Sequence, residues 1–112
     1  MLVPMRYLMT TNGGGPAPDE ALFAEMGTLI REMASAGVLL ATGGLGQGFH
    51  VASRDGELSI TDGPYAEAKE SIVSFALIEA RSDEEALLIA RRFWAVVGDG
   101  EGDVRPVFGA PE

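Results

Sequence analysis

The chain has 112 residues, of which 46% are hydrophobic and 22% charged, and its 17 acidic and 8 basic side chains give a net charge of -9. One domain spanning residues 1–112 is expected, with a modest core and an ordinary globular composition rather than a disordered one. The acidic balance disfavours nucleic acids and anionic membranes as partners, and the absence of cysteine excludes disulfides, thiolate chemistry and cysteine metal sites.

No apolar run approaches the ~20 residues that span a bilayer. The start, Met1-Leu2-Val3-Pro4-Met5-Arg6, lacks a basic segment followed by an apolar one, so a cytoplasmic protein without a secretory signal is expected. In chain order, Met5 to Thr10 reads as a first strand. Asn12-Gly13-Gly14-Gly15-Pro16-Ala17-Pro18 breaks it, since glycine frees the backbone and proline removes a donor. Asp19 to Ala36 reads as a helix: Asp19 is a good N-cap, and Leu22, Met26, Leu29, Ile30 and Met33 lie on one face. Gly37 stands where a left-handed residue closes a helix. Val38 to Thr42 is a short strand and Gly43 to Gly48 a loop.

Two β-like runs follow, Phe49 to Ser53 and Glu57 to Thr61, joined by Asp55-Gly56, a pair suited to a hairpin turn. Asp62-Gly63-Pro64 turns the chain again. Ile72 to Ala80 is the strongest strand and, apolar on both faces, reads as central. Ser82 to about Val97 is a second helix. Ser82 and Glu85 have capping-box spacing, and Ala86, Ile89, Ala90, Phe93 and Val97 form the inward stripe. Gly98 to Gly102 is a loop and Val104 to Phe108 a closing strand.

The order is β-α-β, a hairpin, then β-α-β. This is an α+β fold: a ferredoxin-like β-α-β-β-α-β sandwich with an extra hairpin, its antiparallel sheet covered by two helices on one face. The other sheet face is left apolar and uncovered, which predicts a homodimer stacked sheet to sheet.

Thr61-Asp62-Gly63-Pro64-Tyr65-Ala66-Glu67-Ala68-Lys69-Glu70 resembles the DGPF signature of the YCII-related proteins, with Tyr65 in place of its phenylalanine. Met5-Arg6-Tyr7-Leu8-Met9, Ala36-Gly37-Val38-Leu39-Leu40, Gly44-Leu45, Ser82-Asp83-Glu84-Glu85-Ala86 and Val104-Arg105-Pro106-Val107-Phe108 are similar to other family segments, in the same order. The resemblance implies a dimeric α-β barrel. It also implies relatives that are largely uncharacterised, some encoded near extracytoplasmic-function sigma factors. YCII-like relatives are proposed to be enzymes using a His–Asp pair, and one removes hydrogen chloride from a chlorinated aromatic. The first helix here has no histidine, so that pair does not transfer as it stands. Gly46-Gln47-Gly48 also departs from the proline and serine that DGPF relatives carry in this loop.

His50, the single histidine, has an unperturbed pKa near ~6.5 that suits acid–base work, and the hairpin brings its strand beside that of Asp62. The plainer reading, a polar residue on the solvent side of a strand, is preferred. Asp62 is a candidate base, or orients His50, or accepts a backbone N–H in its turn. Tyr65, Glu67, Lys69 and Glu70 are the candidate ligand-binding set, beside the alternative of surface ion pairs. The Gly43–Gly48 loop matches no phosphate-binding pattern. Phe93 and Trp94 read as packing residues before they read as a platform for an aromatic ligand. No metal and no cofactor is expected, since one histidine among scattered carboxylates lacks ligand spacing. Two functional classes compete. One is a homodimeric small-molecule-binding or regulatory module. The other is a cofactor-free enzyme, of lyase or hydrolase type, acting on a small organic and even aromatic substrate.

Overall fold

Two alternating apolar strands, β1 (Met5–Asn12) and β5 (Ile72–Ala80), form the antiparallel centre of the sheet in the computed structural model, which describes residues 5–13, 19–62 and 72–109. The remaining elements are α1 (Glu20–Ser35), β2 (Leu39–Gly44), β3 (Phe49–Arg54), β4 (Glu57–Asp62), α2 (Asp83–Val97) and β6 (Gly102–Val107). The main sheet runs β2-β5-β1-β6, and β3 and β4 form a separate two-stranded ribbon. Both helical connections skip one strand and return parallel to their start, which is the split βαβ order expected of a ferredoxin-like α+β domain.

Strand alternation divides the sheet into two faces. On one, Tyr7 pairs with Ile78 and Met9 with Ala76, all buried, and Val104 pairs with Met9 from the other side. Leu29 and Met33 of α1, and Ala86, Ile89, Ala90 and Phe93 of α2, close over this face in one core. These are residues of the two predicted helical stripes. On the other face lie Leu8, Phe75, Leu77, Val73 and Ala41, and no described element packs there.

Caps set the helix starts. The Asp19 carboxylate accepts from the Leu22 N–H at 2.8 Å, and the Ser82 hydroxyl accepts from the Glu85 N–H at 3.1 Å. Gly37 closes α1 at φ 77°, as its position suggested. The ribbon turns at Asp55-Gly56 with φ of 53° and 81°, the left-handed pair a two-residue hairpin needs.

Strand limits differ from the sequence expectations where a distant partner extends them. β1 runs on to Asn12 because Thr11 pairs with both Ser74 and Gly102. Gly43 and Gly44, expected in a loop, continue β2 opposite Phe75 and Ser74, and the Phe75 ring lies against Gly43. β6 starts at Gly102, where a Cβ would run into the Thr10 carbonyl oxygen, and it ends at Val107, leaving Phe108 exposed. Asp62, expected in a turn, is the last residue of β4. β6 is an edge strand, with Pro106 opposite Tyr7. No helix among the described residues is long and apolar enough to cross a membrane.

Candidate functional site

The ribbon register decides what His50 and Asp62 do together. Counting outward from the turn, Arg54 faces Glu57, His50 faces Thr61, and Phe49 faces Asp62. Side chains alternate along a strand, so His50 and Asp62 leave opposite faces of the ribbon. Both residues are exposed, and no hydrogen bond joins them. The hairpin thus brings their strands together without forming a His–Asp contact. Tyr65, Glu67, Lys69 and Glu70 lie outside the described residues.

A cleft instead opens between the sheet and the helices, at the end where β1 finishes and β5 begins. Its volume is about 90 Å³. Met9, Thr11, Thr42, Ser74 and Ala76 floor it from three strands, and Met26, Phe93, Trp94 and Val97 roof it from the helices. The space exists because β5 turns two small residues, Ser74 and Ala76, towards the large Trp94. Thr42 donates its hydroxyl to the Phe75 carbonyl at 2.8 Å, which fixes that wall. Among the described residues, no ionisable side chain lines the cleft. Its chemistry is therefore apolar contact plus threonine and serine hydroxyls. For scale, an apolar engineered cavity of about 150 Å³ holds benzene. This smaller cleft suits a neutral body of a few atoms, with the rest of a ligand projecting outwards.

A second concavity lies at the other end of α2, bounded by Tyr7, Asp83, Ala86, Leu87, Val104 and Pro106. Tyr7 is only 2% exposed and donates its hydroxyl to Asp83 Oδ1 at 2.6 Å. That hydrogen bond, then burial, then the carboxylate's charge raise the Tyr7 pKa above its ordinary value of 10.0. The phenol thus stays protonated and ties β1 to the first turn of α2. Sequence reading did not single out this pair, because 76 positions separate the two residues. It also placed Phe93 and Trp94 in packing; Phe93 is buried in the core and Trp94 half-buried, and both double as cleft walls.

These elements define a ferredoxin-like α+β domain with an apolar cleft between its layers and a hairpin inserted after β2. A family model for the YCII-related domain matches residues 5–109, and the chain belongs to the YCII-related family. A search of curated proteins finds no match to it.

Proposed function

We propose that the protein is a homodimeric small-molecule-binding module of the DGPF type, taking small, neutral, largely apolar ligands in the cleft beneath Trp94. The observation that carries this reading is the cleft lining: apolar walls, four hydroxyl-bearing residues at the sheet, and no acid or base among the described residues. A concave apolar site with a few placed polar groups is the usual form of a ligand pocket. Among the described residues the lining supplies no group to move a proton at a substrate, which favours binding over a lyase or hydrolase reaction. The DGPF assignment rests on the run Asp62 to Glu70, and the dimer on the uncovered apolar sheet face.

Trp94 is the single tryptophan and so reports directly on the cleft. Titration with cyclohexanol and with phenol, followed by Trp94 fluorescence and thermal shift, is expected to give saturable changes. Ala76→Leu, which fills the floor, is expected to remove them while the chain stays folded. His50→Ala and Asp62→Asn are expected to leave them unchanged. A Trp94 signal indifferent to both probes, or one that survives Ala76→Leu, sinks the reading.

A further inference from the structure

The β3–β4 ribbon is amphipathic. Phe49, Val51, Leu58 and Ile60 share one face, since Val51 pairs with Ile60 while Phe49 and Leu58 sit two positions along their strands; Ser53 and Asp62 lie at the two ends of that face. The opposite face carries His50, Ala52, Arg54, Glu57, Ser59 and Thr61. Such alternation marks a strand pair with one face buried. Yet Phe49 is 68% exposed, Val51 55%, and Leu58 and Ile60 63% each. No element of the sandwich packs extensively on the ribbon. The radius of gyration, 16.2 Å, exceeds the ~13 Å of a compact chain this long, in keeping with a ribbon that stands away from the sandwich.

A lone two-stranded hairpin is marginal in water and needs a further layer to hold it. We infer that this ribbon is a docking arm whose Phe49, Val51, Leu58 and Ile60 face packs on a second copy of the chain. The inference rests on the homodimer reading and adds to it the element that makes the interface large enough. The open face of the main sheet spans four strands, about 15 Å across at ~4.8 Å per strand and roughly 20 Å long, a footprint of a few hundred Å². A stable interface needs about 800 Å² from each partner. The four ribbon side chains expose apolar surface on the order of 400 Å², the size at which a monomer's patch marks an interaction site. Two copies related by a two-fold axis cover both patches at once, each arm serving its partner. Two chains of charge -9 repel each other, so apolar contact has to supply the attraction between copies.

The full chain and its variants would be compared by sedimentation velocity across a range of concentration. Each ribbon contact occurs twice in a two-fold dimer, so Ile60→Lys or Val51→Lys is expected to weaken association by at least about a hundredfold. Ser59→Lys, on the other ribbon face, is expected to leave it unchanged. Hydrogen exchange on the unaltered chain gives a second readout that needs no folded variant: amides of 49–62 gain protection as the dimer forms. A dimer that ignores Ile60→Lys, or forms without protecting the ribbon, overturns the arm and leaves the sheet-face dimer standing. A chain that stays monomeric throughout overturns both.

Discussion

Tyr7 is the residue whose titration the fold most clearly controls. Its buried ring carries a hydroxyl that meets the exposed carboxylate of Asp83, and the phenolate would sit against that charge. A raised folded pKa means the neutral form is favoured by folding. The resulting stability is complete below pH 10.0, the ordinary value, and is lost as pH climbs through the higher folded value. Denaturant titrations above pH 10 are therefore expected to show stability falling with pH, and Tyr7→Phe is expected to flatten that limb. An unchanged alkaline slope in Tyr7→Phe would show that other groups dominate it. At the same scale, the parting of His50 from Asp62 is legible in the sequence once the turn is fixed. With Asp55-Gly56 as a two-residue turn, counting outward places His50 against Thr61. Proximity of two strands says nothing of side-chain contact until parity is counted. Tyr7 with Asp83 escapes any such count, because no local rule links β1 to the start of α2.

Among the elements, the helices are the most legible. Their stripes and caps are local: Ser82 accepts the Glu85 N–H as the spacing indicates, while the Glu85 carboxylate pairs with Arg81 rather than reaching back to the cap. Replacing Ser82 by alanine removes the acceptor for that N–H and is expected to cost about 1 kcal/mol, measured as a lowered urea midpoint. A midpoint equal to the parent's would mean water serves the cap equally well. Strand limits are less legible, since pairing partners set them from afar. Gly43 and Gly44 have the composition of a loop, yet the ladder of β5 recruits them. Gly102 similarly reads as loop until Thr10 closes on it, too near for any side chain. The cleft is less legible still. It depends on which face of β5 holds Ser74 and Ala76, and on where α2 then places Trp94. The ribbon was visible as two β-like runs, but its lack of cover by the other described elements is a property of the assembled fold.

For the whole molecule, charge and apolar surface act in opposition. Two chains of net charge -9 repel over a distance set by salt. Raising ionic strength from about 0.01 M to about 0.15 M shortens the screening length from ~30 Å to ~8 Å. Self-association is therefore expected to tighten over that range, as read by sedimentation; association that loosens with salt would instead mark an interface held by ion pairs. Apolar faces invite assembly, and strand edges invite a different and less orderly kind. Pro106 bears on the second. As a residue of edge strand β6 it has no N–H to offer an incoming strand, and the exposed Asp103 and Arg105 put charge on the same edge. Strand-to-strand stacking into fibrils is blunted along that border. Strand-by-strand growth from that border is thereby disfavoured, and the two-fold dimer proposed above would be a finite particle rather than an endless one.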